Sequence, residues 1–273
     1  MRRWTVDAPT RLDLDEVSAL NVRLVGGTVA VLATDDKPSL VVSELSGRPL
    51  HVSHSDEDGT LTVSYESLSW DGLLGLLKPG RDVAEVTISV PADCPLQLGV
   101  FSASAVVSGL RSGASVKGMS GDITLDGIAG DVEGETMSGE LIARDLEGTV
   151  SFKTMSGALV LADGCLDTLD ANTMSGQVTA DVTLSEGGQV RVHTMSGDVT
   201  LRLPAESDAR VRLQSTSGAV RSEFDSLRTV KAPASRTVSG NVGAGTGRVS
   251  VTTMSGSVTL LRRAPVEMES KTP

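Results

Sequence analysis

The sequence predicts an all-β fold: a single parallel β-solenoid of about 16–22-residue coils with an irregular N-terminal β region. Three observations carry that prediction. The phrase Thr-Met-Ser-Gly returns at Thr136–Gly139, Thr154–Gly157, Thr173–Gly176, Thr194–Gly197 and Thr253–Gly256. The residues on either side of each phrase alternate apolar and polar, the period of a strand. Aromatic residues make up only 2% of the chain while glycines number 29, so the core must be thin and aliphatic and the turns many.

Taken in order, Trp4–Val6, Leu12–Leu14 and Leu20–Leu24 alternate like short strands. Val22–Val31 then runs through a Gly26-Gly27 corner and alternates again, the same grammar as the later repeats. Leu40–Gly47 followed by Leu50–Val52 repeats it loosely. Ser55–Gly59 reads as a turn and Leu61–Tyr65 as its returning strand. Residues 67–80 break the pattern and read as a short apolar helix or loop closed by Pro79 and Gly80. Alternation resumes at Val83–Val90, and Pro91 and Pro95 bracket a turn holding Cys94. Residues 1–95 are therefore expected to cap one end of the solenoid and to be continuous with it.

From Leu96 to residue 262 the repeat takes over. Worn copies of the phrase stand at Gly118–Gly121, Ser215–Gly218 and Thr237–Gly240, and Ser104–Val107 looks like an earlier one. The marked serines are 120, 138, 156, 175, 196, 217, 239 and 255, at spacings of 18, 18, 19, 21, 21, 22 and 16 residues. Residues 263–273 have no pattern and are expected to be a disordered tail, with Arg262, Arg263 and Pro265 ending the pairing at the far end.

Parity gives the coil its shape. In Val190–Thr194 the Val and Thr positions face in and Arg191 and His193 face out; after the phrase, Val199 and Leu201 are the apolar ones. Counting by twos from Thr194 reaches Asp198, so the phase flips once, and Ser-Gly must be a backbone corner where glycine accepts a positive φ. Two strands and two turns fit in about 20 residues, too little to bury an apolar face alone, so coils stack about 4.8 Å apart. Like residues then form rows: threonines, corner serines bridging neighbouring backbones, and methionines pointing outward or into the corner.

Charge and cysteines exclude whole classes. A net charge of −11 and a pI near 4.8 argue against nucleic acid and against simple docking on anionic lipid. Cys94 and Cys165 lack CxxC spacing and form no disulfide framework. Basic residues at the start are not followed by an apolar stretch, and no run is long enough to span a membrane, so a cytoplasmic location is expected.

The Ser-Gly-x-Val/Ile-x-Leu repeats, the Gly-Gly segment of Val22–Val31, the opening Trp4-Thr5-Val6 and the copy around Ser217-Gly218-Ala219-Val220 together resemble a large bacterial family of β-strand-repeat proteins of unknown function that carries the label "putative adhesin". The resemblance covers nearly the whole chain. It implies a right-handed parallel β-solenoid with no assigned chemistry, and a link to the cell envelope.

No residue set points to catalysis or to a cofactor. The Ser-Gly phrases lack the Gly-x-Ser-x-Gly pattern of a nucleophile elbow, and Gly26-Gly27 lacks dinucleotide-binding spacing. His51 and His54 lie three apart on a strand and point to opposite faces, which disfavours a shared metal. Gly121-Asp122, Gly130-Asp131 and Gly197-Asp198 lack the nine-residue calcium repeat. A basic strip of Arg191, Arg202, Arg212 and Arg221 would suit a polysaccharide-acting β-helix enzyme, but no carboxylate pair accompanies it.

Two features remain as candidate partner-binding elements. One is the methionine row: Met119, Met137, Met155, Met174, Met195 and Met254, an adaptable apolar stripe. The other is the apolar segment with Trp70, Leu73, Leu74 and Leu77, either a cap or a weak peripheral membrane contact. The expected function is that of a non-enzymatic interaction or scaffolding protein, with self-association or a protein partner. A surface adhesin exported by an unrecognised route and a polysaccharide-acting β-helix enzyme are the alternatives.

Overall fold

The computed structural model describes residues 1–65, 82–232 and 235–264. These form strands and turns, with no helix among the described residues. The near end of the chain gives β1 (Arg2–Val6), β2 (Thr10–Asp13), β3 (Ala19–Ala33), β4 (Ser39–Ser46), β5 (Leu50–His54), β6 (Thr60–Tyr65) and β7 (Val83–Val90). The middle gives β8 (Leu96–Ser108), β9 (Ala114–Gly118), β10 (Ile123–Asp126), β11 (Val132–Thr136), β12 (Leu141–Arg144), β13 (Glu147–Ser156), β14 (Leu159–Ser175), β15 (Val178–Ser196) and β16 (Val199–Pro204). The far end gives β17 (Ala209–Ser215), β18 (Val220–Ser222), β19 (Arg228–Ala232), β20 (Ser235–Val242), β21 (Gly247–Ser255) and β22 (Val258–Arg263).

The strands stack as two ladders. The first runs β1, β5, β6, the start of β3, the start of β8, β9, β11, β13, the end of β14, the end of β15, β21, β17, β20, β19. The second runs β2, β4, β7, the end of β3, the end of β8, β10, β12, the start of β14, the start of β15, β16, β22, β18. Pairing is parallel from β6 to β17 in the first ladder and from β7 to β18 in the second, because each strand lies beside its own copy from another coil. Inward residues of both ladders, such as Val116, Phe152, Val192 and Leu213 against Ile123, Leu141, Val178 and Val199, form one aliphatic core. Phe152 fits because the coil beside it offers Gly134, where any Cβ would press on the Phe152 ring.

The corner reading holds through the middle of the stack. Thr194 is buried, Met195 and Ser196 are exposed, and Val199 is buried again. Gly176 adopts φ +153°, and a Cβ there would overlap the carbonyl oxygen of Gly157 on the neighbouring coil. Gly26-Gly27 is a corner of the same kind: Gly26 pairs with Ser102, and β3 lies in parallel register with β8. The corner of β8 is thus at Ser102-Ala103, two residues before the predicted Ser104 copy, and a Cβ on Gly121 would overlap Ala103 O.

The body is not a plain solenoid, and three expectations are corrected. Antiparallel strands close both ends: β1–β5–β6 and β2–β4–β7 at one, β17–β20–β19 at the other. Leu40–Gly47 is therefore no coil; it is mostly β4, antiparallel to β7. Ser239-Gly240 is no corner either. It lies inside β20, whose chain runs back along β17, so no ladder of corner glycines meets it.

Coil order is the third correction. The coil of β21 and β22 sits between β15–β16 and β17–β18, although it comes last in the chain. Arg262 and Arg263 therefore end a strand inside the stack rather than its far edge; residues 265–273 lie outside the described ones. Specific side chains fix this insertion. Asp181, buried, accepts hydrogen bonds from Arg202 of the adjoining strand and from Arg263 Nη1 one strand further on at 3.0 Å. Asp198 Oδ1 accepts from Ser257 N at 2.7 Å, and Glu223 Oε2 accepts from Arg262 N at 2.8 Å.

Candidate functional site

The phrase that makes the corner also makes a surface. Within it the threonine faces in and the methionine faces out, since the strand alternates up to the corner. Thr136 pairs with Thr154, Thr154 with Thr173, Thr173 with Thr194 and Thr194 with Thr253, so the intervening methionines fall into one row across adjacent coils. Met137, Met155, Met174, Met195 and Met254 are 48–58% exposed, and Met119 is half-buried at the near end of the row. The row answers the question parity left open: the side chains face out rather than filling the corner.

The inserted coil decides the length of this row. Because β21 pairs with β15, Met254 stands next to Met195. Had the coils stacked in chain order, Met195 would meet Thr216, and Met254 would stand beyond it.

A groove of about 780 Å³ runs along the row. One wall is Phe101 and the methionines; the other is the outward residue two places earlier in each coil, among them Arg23, Lys117, Glu135, Lys153, Asn172 and His193. From the coil of Arg23 to that of Met254 it crosses eight coils, about 34 Å. On the polar wall Glu135 Oε2 receives Lys117 Nζ at 3.0 Å and Oε1 receives Lys153 Nζ at 3.4 Å. Those contacts, the Lys117 hydrogen bond first, hold the Glu135 carboxyl below its ordinary pKa against the opposing effect of burial. The sequence reading missed this wall, although its signal is simple: the residue two before each Met.

Under the row the expected hydroxyl ladder forms only in part. Thr136 Oγ1 donates to Thr154 Oγ1 at 3.0 Å, while the buried hydroxyls of Thr173, Thr194 and Thr253 have no partner among the described residues. The corner serines do bridge coils: Ser120 Oγ donates to Phe101 O at 3.3 Å, Ser138 Oγ to Met119 O at 3.2 Å and Ser217 Oγ to Met254 O at 3.1 Å.

Other predicted elements are placed as follows. Trp70, Leu73, Leu74 and Leu77 lie outside the described residues. The basic strip does not form: Arg191 and Arg212 lie on the first ladder, Arg202 and Arg221 on the second, and Arg202 is held by Asp181. His54 is buried with Nε2 2.6 Å from Glu16 O, while His51 is partly exposed. Asp122 and Asp198 accept backbone N–H groups from neighbouring coils. No group of three His, Cys, Asp or Glu among the described residues is arranged to hold a metal ion. Both cysteines are free, and burial pushes the Cys94 thiol up to about 11. No helix of the described residues is long and apolar enough to cross a membrane.

A family model, Toastrack DUF4097, matches residues 17–261, which takes in β3 through most of β22 and every residue of the groove. The chain belongs to the Toastrack DUF4097 family. Structures similar to this DUF4097 chain include a "putative adhesin" from Bacteroides fragilis, 14% identical, with TM-score 0.40 and coverage of 95% of this chain and 97% of that one. A "putative lipid binding protein" from Parabacteroides distasonis is 15% identical, with TM-score 0.43 and coverage of 93% and 97%. A "putative cell adhesion protein" from Clostridium sporogenes is 14% identical, with TM-score 0.27 and coverage of 93% and 100%. No curated protein matches the chain.

Proposed function

We propose that this DUF4097 protein is a non-enzymatic interaction scaffold, a β-solenoid body whose working surface is the methionine groove, and that the groove receives an extended segment of a protein partner. The observation that carries the reading is the unbroken row of Met137, Met155, Met174, Met195 and Met254, completed only because the last coil is inserted out of order. Exposed apolar side chains in one contiguous line favour a contact surface over chance exposure, and methionine adapts its shape to a partner.

Dimensions and charge define the occupant. A length of about 34 Å accommodates roughly ten residues of extended chain. The polar wall carries Lys117 and Lys153 on either side of Glu135, with Glu133 3.9 Å from Lys153 Nζ, so it offers charges of both signs. The matching segment alternates apolar and polar residues, placing the apolar ones on the methionines.

The test is photo-crosslinking with a photoreactive methionine analogue in the native cell, followed by mapping of both ends of each crosslink. Crosslinks from Met155 and Met174 to one short segment of alternating apolar and polar residues are expected, with loss of the complex in the Met155→Glu/Met174→Glu variant at unchanged melting temperature. Capture of the same partner by that variant would overturn the reading.

A further inference from the structure

The far half of the first ladder carries a second surface, independent of the methionine groove. The pairings place Arg191 beside Ser250, Ser250 beside Arg212, Arg212 beside Ser239, and Ser239 beside Arg228. Directly opposed residues of a sheet share a face, so these five side chains form one outward row. The next row places Arg248 beside Arg210. All five arginines are exposed, and none makes an ion pair among the described residues; Arg191 and Arg212 reach only the amide oxygens of Gln189 (2.6 Å) and Gln214 (3.5 Å). Asp170, which already accepts from Asn172 Nδ2, is the carboxylate opposed to Arg191 at the near end of the row. Four guanidinium groups with no opposed carboxylate, and a fifth beside Asp170 at the edge, are unexpected on one face of a chain with net charge −11.

We propose that this face binds a linear acidic polysaccharide lying along the stack axis. Spacing decides the class of polyanion. Neighbouring strands are about 4.8 Å apart, so the alternation of Arg and Ser sets one guanidinium about every 10 Å, with a hydroxyl between. Nucleic acid presents a charge about every 3.4 Å along each strand, too dense for this row. A sugar chain with one carboxylate per two residues meets an arginine at each carboxylate, where the planar fork accepts both oxygens, and offers hydroxyls to Ser250 and Ser239 in between. The topology builds this face, because Arg248 and Ser250 come from the inserted coil.

The experiment measures binding of the full chain to hyaluronan, which carries one carboxylate per disaccharide, with neutral dextran and vesicles of equal parts phosphatidylglycerol and phosphatidylcholine alongside. Hyaluronan binding that weakens with salt is expected. It should fall about tenfold in Arg191→Gln/Arg212→Gln/Arg228→Gln. It should stay within twofold in Arg111→Gln/Arg144→Gln/Arg221→Gln, which removes the same charge elsewhere. Melting temperatures confirm that both variants fold. Equal loss in the two variants, no loss in the first, binding to dextran as tight as to hyaluronan, or vesicle binding as tight as hyaluronan binding would each overturn the proposal.

Discussion

The coils between residues 114 and 204 and those between 209 and 263 use the same phrase and end in different arrangements. In the first region, coils that follow one another in the chain lie beside one another, and each corner glycine rests against the carbonyl of its predecessor: Gly157 on Gly139, Gly176 on Gly157, Gly197 on Gly176. In the second, Gly256 rests on Gly197 and Gly218 rests on Gly256, so contact order and chain order part company. The backbone ladder has the same form in both and cannot choose between them. Choice falls to side chains peculiar to the far end: Asp181 with Arg202 and Arg263, Glu223 with Arg262 N, and Ser215 with Gly256. Repetition fixes the shape of a coil, and exceptions to it fix the place of a coil.

The strongest way to break the comparison is to remove the inserted coil. A chain ended after Thr246 loses β22 from beside β16 and β18, leaves β16 paired only with β15, and leaves β17 without its parallel partner. Hydrogen exchange should show protection lost across residues 205–242 and kept across residues 96–204. Retained protection of 209–215 would mean that β17 docks directly on β15, and that the last coil does not set the order.

Next in size is the corner itself. Gly176→Ala adds a Cβ that overlaps Gly157 O at a positive φ, and both backbones are pinned by ladders on either side. A loss of about 4 kcal/mol or more is expected from the denaturation midpoint. Gly187→Ala, at φ +75° with open space around it, should lose only about 1–2 kcal/mol, the cost of the left-handed conformation alone. Equal losses would show that conformation rather than close approach holds the corner.

Asp181→Asn sharpens the far-end half of the comparison. The carboxylate is buried, but Arg202 is half exposed, so water recovers part of the lost interaction. About 2 kcal/mol is expected, below the range for a fully buried pair. The loss should appear as faster exchange at β22, with the central coils unchanged.

Much of this architecture is legible in the sequence. Period-two alternation gave the strands, the phase flip across Thr194–Asp198 gave the corner, and the Gly26-Gly27 segment gave an early coil. Their cause is local: which side chains face in, and where glycine permits a turn. Coil order was not legible, because β21 and β17 present nearly the same inward pattern, Val249 and Val251 against Val211 and Leu213, and either fits beside Val190 and Val192. Ser239-Gly240 misled for the same reason: its phrase is right, but its strand runs antiparallel. The methionine row was legible as a row, whereas its polar wall and the arginine face depend on which coils are neighbours.

The smallest expected effects have opposite signs in the two regions, at the same position of the phrase. Thr194 and Ser215 both occupy the inward hydroxyl place before the corner. Thr194 Oγ1 is buried with no partner among the described residues. Ser215 Oγ donates to Gly256 O and accepts from Gly218 N, each at 2.8 Å, and so ties its coil to the inserted one and to its own corner. Thr194→Val keeps the shape and removes an unsatisfied hydroxyl, so it should stabilise by about 1 kcal/mol. Ser215→Ala removes a satisfied hydroxyl and leaves two backbone groups short, so it should destabilise by about 1–2 kcal/mol. Urea midpoints of the two variants measure both. The same sign for both would mean that the hydroxyl row acts as one ladder along the whole stack, and that the far coil is held by its backbone like any other.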